Sequence, residues 1–293
     1  MDALPRGKPS DPAQATRNHS GLVLNALKDK LPELIGGSAD LTPSNMTFLK
    51  GVGDYQKATP AGRYIRFGVR EHAMAAICNG ITAYGGLIPF CGTFLNFIGY
   101  AAGAVRLSAL SQFRVLYVGT HDSIGLGEDG PTHQPVEMLL SLRATPNMYV
   151  YRPCDATETS AAYASAILNP TAPSVFALAR AGNPNFEGSS FEGALKGGYH
   201  IFRTSEGNHP RTCVIASTGT EVSIAVEAAK KLGGEPGLNV FVASMVCLEV
   251  LRRPMLMAAV LGCPMVVSAV VRRPMVLSAV LRRPEVATET FMR

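Results

Sequence analysis

Two short stretches hold most of the residues able to do chemistry. The first is FGVREHAMAA at 67–76, where a Gly turn leads at once into Arg70, Glu71 and His72 and then into Ala73, Met74, Ala75, Ala76 and Ile77. That small, apolar run reads as a helix packed inside a domain. An unpaired carboxylate buried there costs several kcal/mol or is pushed toward its protonated form, so Glu71 needs a chemical reason to be present. The second stretch, THDSIGLGEDGPTHQP at 120–135, packs His121, Asp122, Glu128, Asp129 and His133 into thirteen positions. Any one of these reads as a turn or cap residue, with Asp122 and Asp129 accepting from loop backbone donors. The whole cluster reads as a site.

The elements around these stretches give them a frame. Residues 16–30 carry helix-spaced apolar positions at Leu22, Leu24, Leu27 and Leu31, followed by strand-like ELIGGSAD and RYIRFG. The helix of 70–84 comes next, then the strand LIPFCG, a long helix from Thr93 to Ser111, and the strand FRVLYVGTH. Residues 133–144 read as helix, NMYVYRP as strand, 155–168 as helix and PSVFALAR as strand. Strands alternating with helices in units of this size predict an α/β fold, a mostly parallel sheet with helices on both faces. The polar loop at 120–135 then lies at the C-terminal end of a parallel strand, where open α/β sheets place their sites.

GLGEDG at 125–130 satisfies the pattern G-x-G-x-x-G, but THDSI separates it from the strand and Pro131 follows where a helix should begin. A dinucleotide fingerprint needs the tight turn directly after the strand. The nicotinamide reading therefore falls away.

The first domain spans 10–180. AGNPNFEGSSFEGALKGG is rich in Gly, Asn and Ser, and a linker is expected at 181–196. A second, incomplete α/β domain follows at 197–250, with strands GGYHIF, TCVIAST and LNVFVAS and a helix from Thr220 to Leu232. From 251 to 293 four decamers succeed one another in register, LRRPMLMAAV, LGCPMVVSAV, VRRPMVLSAV and LRRPEVATET, with Pro254, Pro264, Pro274 and Pro284 in the fourth place. A Pro every ten residues prevents a continuous helix, and the apolar blocks have no polar face to set a strand register. The expectation is an irregular repeat tail, disordered or artefactual.

Composition narrows the function. The net charge is +5, but the last 43 residues hold seven Arg against Glu285 and Glu289, leaving 20 basic and 20 acidic groups in the other 250. Without a basic field on the main body, no nucleic-acid partner is expected; a binder acting through the tail alone would show steeply salt-dependent affinity. No apolar run approaches the length of a membrane span. The six cysteines show no CxxC pairs or zinc spacing, and MDALPRGKPSDPAQ has no apolar signal core; a reducing, cytoplasmic location is expected.

IGGSADLTPSN, RYIRFGVREHAMAAICNGITAYGG, CGTFLNFIGYAAGAVRLSAL and THDSIGLGEDGPTHQPVE together closely resemble the pyrimidine-binding domain of the transketolase family, and the likeness runs from about residue 10 to 250. It implies the thiamine diphosphate-binding fold. The family's activity is transfer of a two-carbon ketol unit from a ketose phosphate to an aldose phosphate in the pentose phosphate pathway.

By that resemblance Glu71 hydrogen-bonds N1′ of the cofactor's aminopyrimidine ring and favours the imino tautomer, which removes the thiazolium C2 proton. A simpler role as an acid at the positive end of the helix dipole can coexist with it. Phe94, Phe97 and Tyr100 match the pocket for the pyrimidine ring, their spacing placing them on neighbouring faces of one helix. Arg17, Ser44, His121 and Arg180 match positions that hold the sugar phosphate, although ARAGNP departs from the family's SRQN beyond Arg180. A guanidinium fork with a hydroxyl and an imidazole suits a dianion. Asp129 and His133 match residues near the substrate's hydroxyl and carbonyl, and His133 is expected to act with Glu71 in catalysis.

The family's diphosphate site, which uses Mg²⁺ and a GDG…N motif on an N-terminal domain, has no counterpart here, and no metal ligand is assigned to this chain. The family's sites form across a dimer interface. The chain is therefore expected to be inactive alone and to need a homodimeric or heterodimeric partner, either a diphosphate-binding half or a full-length transketolase. The alternatives are a non-catalytic fragment that binds and regulates such an enzyme, or a relative of dihydroxyacetone synthase or the deoxyxylulose phosphate synthases.

Overall fold

The computed structural model describes residues 3–206 and 209–251 and the backbone of 279–282. Gln14–Ala15 (β1) leads into Thr16–Lys28 (α1), Leu34–Ser38 (β2), Thr42–Asn45 (α2), Tyr64–Arg66 (β3), Glu71–Tyr84 (α3) and Ile88–Phe94 (β4). A 3-10 segment, Leu95–Ala101, joins β4 to Ala102–Leu110 (α4) and Leu116–Thr120 (β5). Two 3-10 turns, Ile124–Leu126 and Pro131–His133, precede Met138–Ala144 (α5), Tyr149–Tyr151 (β6), Ala156–Leu168 (α6) and Ser174–Leu178 (β7). The remaining elements are Gly182–Asn183 (β8), Phe191–Leu195 (α7), Tyr199–Arg203 (β9), Arg211–Ser217 (β10), Glu221–Leu232 (α8), Leu238–Ser244 (β11), Leu248–Leu251 (α9) and Ala279–Arg282 (β12).

Six strands form a wholly parallel sheet in the order β3-β2-β4-β5-β7-β6. Its central strands are buried on both faces, which is why IPFCGTF, LYVGT and SVFAL read as continuous apolar runs. Successive side chains serve opposite faces. Phe90, Leu116, Val118 and Phe176 join Val23, Leu24 and Leu27 of α1 and Ala161, Ala162, Ala164 and Ala166 of α6 in one cluster, while Cys91, Tyr117, Val175 and Ala177 join Met74 and Cys78 of α3 and Val105 of α4 in the other. The α/β sheet with helices on both faces is thus as expected. Within α1 the inward position is Val23, whereas Leu22 is half exposed. Among the described residues no helix is long and apolar enough to cross a membrane.

Two local readings are corrected. The long helix expected from Thr93 does not start there: Thr93 and Phe94 end β4, and an α-helix begins only at Ala102 after the 3-10 segment. Likewise, the helix expected over 133–144 breaks into a 3-10 turn ending at His133 and α5 starting at Met138. The stretch expected as a linker is built into the structure, since β8 pairs antiparallel with β1 and Phe191 of α7 is buried in the core.

The second unit is a four-stranded sheet in the order β12-β10-β11-β9, with β10 and β11 parallel and both edge strands antiparallel. Four residues of the decamer segment, 279–282, supply the edge strand β12 beside β10. The rest of that segment, 252–278 and 283–293, lies outside the described residues.

Helix α6 sits in the seam between the units and is buried almost all round. Asp155 caps it, accepting from the Glu158 amide at 2.9 Å, and Glu158 returns by accepting from the Cys154 amide at 2.8 Å, a near relative of the capping box. Tyr199, on β9 of the second unit, donates its hydroxyl to Glu158 Oε1 at 2.9 Å. Burial, with Asp155 adding to it, pushes the Glu158 carboxyl up to about 7. Because this value is raised above that of the unfolded chain, its contribution to stability is complete below about pH 4.5 and is lost as pH rises through 7. Tyr199→Phe leaves one carboxyl oxygen without its donor, and the cost is greater once that carboxyl ionises. The expected loss is about 1 kcal/mol at pH 6 and about 2 kcal/mol at pH 8, read from urea unfolding; a loss independent of pH would show that Glu158 does not titrate in this range.

Candidate active site

The C-terminal ends of the adjacent strands β4, β5 and β7 converge on one place, and the residues singled out in the sequence follow directly from them. Phe94 is the last residue of β4, His121 and Asp122 follow β5, and Arg180 lies two residues beyond β7. Helix α1 enters at the same end, where Thr16 Oγ1 accepts from the Ala179 amide at 2.8 Å and places Arg17 beside this rim.

A wall of rings forms first. Phe94 lies 3.9 Å from His121 between ring centroids, 5.5 Å from Phe97 and 5.5 Å from His133, while Phe97 lies 4.9 Å from His133 and 5.8 Å from Tyr100. The 3-10 geometry accounts for the Phe97 and Tyr100 contact, because residues three apart stack on one face of such a helix. Their shared wall comes from a strand end and a 3-10 segment instead of one α-helix. Phe94 is buried, Phe97 half-buried and Tyr100 exposed. Asn96 ties this wall to the loop below by donating to the Thr132 carbonyl at 2.7 Å.

His121 is the most constrained member. Its backbone is left-handed, with φ 59°, a conformation that costs a non-glycine residue about 1–3 kcal/mol and persists only where its surroundings enforce it. Its side chain ends a buried hydrogen-bond chain: Ser38 Oγ donates to Asn45 Oδ1 at 2.8 Å, Asn45 Nδ2 donates to Thr120 Oγ1 at 2.7 Å, and Thr120 Oγ1 lies 3.0 Å from His121 Nδ1. Since Thr120 already accepts from Asn45, its hydroxyl proton is available to Nδ1, which leaves Nε2–H facing Asp129 Oδ2 at 4.0 Å. Burial, then the charge of Arg17, with Arg180 and His133 adding to it against Asp129, lowers the His121 imidazole to about 4. His121 is therefore neutral at pH 7.

Two guanidiniums face this imidazole. Arg17 donates from Nη1 to the Ser44 carbonyl at 3.0 Å, while its Nε is buried without a partner. Burial first, then repulsion from Arg180, lowers the Arg17 pKa. Arg180 donates to Glu128 and to the Leu126 carbonyl, and its Nε lies 3.7 Å from Asp129 Oδ2. Gly127 permits that approach: its φ is 100°, and a Cβ there would come within 2.5 Å of Arg180 Nη1. Two cations beside a neutral imidazole, with one buried N–H unspent, form a place suited to an anion.

Glu71 opens α3 and is only 9% exposed. Neighbours Phe67, Met74, Ala75 and Cys78 belong to the apolar cluster on that face of the sheet, and α3 packs against the 3-10 segment that carries Phe97 and Tyr100. From the described residues no hydrogen bond or ion pair reaches its carboxylate, whereas His72 beside it is exposed. Among the described residues no group of three or more His, Cys, Asp or Glu is placed to hold a metal ion.

The structure thus brings Phe94, Phe97, Tyr100, His121, Asp129, His133, Arg17 and Arg180 into one rim, with Ser44 joined through its carbonyl. Sequence reasoning missed Ser38, Asn45 and Thr120, although all three lie inside stretches already singled out, IGGSADLTPSN and THDSI. It also missed Arg152, whose buried ion pair with Asp122 at 2.7 Å carried no local signal.

A family model described as transketolase, pyrimidine binding domain, matches residues 12–184, and a second, transketolase-like TK C-terminal domain, matches residues 197–290. The second match therefore runs through the decamers. A probable transketolase of Schizosaccharomyces pombe is 52% identical over 255 residues, covering 85% of this chain and 37% of its own length. A crystal structure of a transketolase complex with sedoheptulose-7-phosphate from Pichia stipitis superposes with a TM-score of 0.83 at 51% identity, covering 88% of this chain and 39% of that one. A split-gene transketolase, described as an inactive beta4 tetramer, superposes with a TM-score of 0.65 at 28% identity, over 86% of this chain and 78% of that one. The chain spans little more than a third of the length of the full-size relatives it matches.

For His121 the direction of its shift sets a pH dependence. A base whose folded pKa is depressed contributes stability that is complete above its unfolded value, about 6.5, and is lost as pH falls toward 4. In a ¹⁵N-histidine spectrum its ring resonances are expected to stay fixed from pH 8 to 5 and to titrate below; a midpoint near 6.5 would contradict the buried, cation-flanked setting.

Proposed function

The chain belongs to the transketolase family, whose enzymes use thiamine diphosphate with a divalent metal ion, and on that premise we propose that it supplies the pyrimidine side of a ketol-transfer site. The reaction is movement of a two-carbon ketol unit from a ketose phosphate to an aldose phosphate in the pentose phosphate pathway. Bound thiamine diphosphate supplies a carbon nucleophile that accepts and releases this unit.

The observation that carries the reading is Glu71: a residue only 9% exposed whose carboxylate has no partner among the described residues, on a helix packed against an aromatic segment. The residues present fit the cofactor's pyrimidine. Glu71 can share a proton with a ring nitrogen, and Phe94, Phe97 and Tyr100 offer ring faces to a flat heterocycle. The diphosphate and its metal ion are assigned to a partner half. Arg17, Arg180 and His121 hold the sugar phosphate in this proposal, with Ser44 beside them. Their charge favours the dianion, and His121 donates a hydrogen bond without competing as a cation. Asp129 accepts from a sugar hydroxyl, and His133, beside Phe94 and Phe97, moves a proton at the substrate's oxygen.

Association is part of the proposal. Ile77 and Tyr84 on α3 and Leu107 and Leu110 on α4 are exposed, with Val69 and Tyr100 near them, an amount of apolar surface that suits a partner subunit. The same surface favours a second reading, in which the chain binds a full-length transketolase and regulates it without catalysing. Mixing decides between them. With a separately prepared diphosphate-binding half of a transketolase, ketol transfer is expected in the mixture and absent from this chain alone; turnover by the isolated chain would contradict the half-site assignment, and inhibition of an intact enzyme without turnover in any mixture would favour the regulatory reading. In an active mixture Arg17→Ala is expected to raise KM for the phosphorylated sugar roughly 10- to 100-fold with kcat little changed, the loss of one charge-assisted hydrogen bond. An unaltered KM would remove Arg17 from the phosphate site.

A further inference from the structure

We propose that Arg152 is a positioning residue for this site: its guanidinium ties Asp122, and through the chain His121, to the first turn of α8, so that the second α/β unit holds the site imidazole in place. The role rests on the reading of His121 as a substrate contact, but the geometry that supports it lies outside the rim.

Arg152 follows β6 and is buried, 5% exposed. Its Nε donates to Asp122 Oδ2 at 2.7 Å, and Asp122 is itself only 3% exposed. Every other polar group of Arg152 is engaged by the second unit. Nη2 donates to Glu221 Oε1 at 3.0 Å, Nη1 lies 2.8 Å from Glu221 Oε2 and donates to the Thr218 carbonyl at 3.2 Å. On the backbone its N–H donates to the Val246 carbonyl at 2.8 Å, and its carbonyl accepts from the Gly219 amide at 3.1 Å and the Thr218 hydroxyl at 3.2 Å. Gly219 sits against the side chain, with φ 60° and room only for hydrogen, since a Cβ would come within 2.9 Å of Nε. A guanidinium fork held at both terminal nitrogens and seated on backbone has one geometry left for Nε, and Asp122 must meet it.

The consequence falls on the next residue back. His121 holds a left-handed backbone between β5, which fixes Thr120 in the sheet, and Asp122, which Arg152 fixes from the other side. Such a conformation needs both anchors. Releasing Asp122 lets the backbone at His121 relax toward an ordinary conformation and moves the imidazole from its place against Phe94 and between Arg17, Arg180, Asp129 and His133. From α5, Arg143 lies within electrostatic reach of Arg152, with Glu249 opposing their repulsion.

The test uses the full chain labelled with ¹⁵N-histidine, with the His121 resonances assigned by His121→Gln. In Arg152→Lys, which keeps the charge but loses the fork, the His121 midpoint is expected to rise from about 4 by roughly one pH unit or more toward the ordinary histidine value. Glu221→Gln, which keeps the guanidinium and changes only the second unit, is expected to shift it in the same direction by less. Tyr199→Phe disturbs the seam elsewhere and should leave His121 unmoved. An unchanged His121 in folded Arg152→Lys, or in Glu221→Gln where the first variant does not fold, would overturn the proposal; so would an equal shift in Tyr199→Phe, which would mark general loosening of the seam. Since no cofactor or sugar is added, this outcome is independent of whether the ketol-transfer reading holds.

Discussion

A carboxylate in an apolar setting, with no cation or donor reaching it from the described residues, is the feature on which the reading of this structure turns. Glu71 stands at the start of α3 with apolar neighbours along the same face, and the residue as a whole is only 9% exposed. The helix N-terminus favours a carboxylate at that position through its dipole. In the proposed reading that carboxylate is completed by a bound heterocycle, and this sets the character of the site.

The surrounding architecture follows from where parallel strands end. Because β4, β5 and β7 are neighbours in one sheet, the residues after them meet at a single rim however far apart they lie in sequence. The sheet supplies rigidity, and the loops supply chemistry. Phe94 joins the two functions, being the last residue of a fully buried strand and the ring that touches both histidines. Beneath it the chain from Ser38 through Asn45 and Thr120 spends buried hydrogen bonds on the orientation of one imidazole. Across the seam, Arg152 with Glu221 ties the second unit to Asp122, the residue after that imidazole, while Tyr199 joins the two units separately at Glu158.

How much of this was legible in the sequence depended on how local the cause was. The central strands could be read because burial on both faces leaves an unbroken apolar run, and Glu71 stood out because its neighbours in sequence are also its neighbours in space. The boundary at TFLNFIGY could not be placed, since the same apolar residues suit a strand, a 3-10 segment and an α-helix, and only pairing of Phe94 with Thr120 across the sheet settles the choice. The stretch after Arg180 looked like a linker because its order comes from β1, which lies far back in the sequence. Arg152 was invisible for the same reason: its partners are 30 and 69 residues away, and an arginine after a strand ordinarily reads as surface.

The central claim is that Glu71 is held unpaired so that it can exchange a proton with a heterocyclic base. The most direct measurement is the rate of hydrogen–deuterium exchange at the thiazolium C2 position of thiamine diphosphate, followed by proton NMR in an assembly of this chain with a diphosphate-binding half. The account predicts accelerated exchange with the native chain and a fall of at least about 100-fold in Glu71→Gln, in line with the loss of one general acid–base group. Equal exchange rates for the two chains would contradict it.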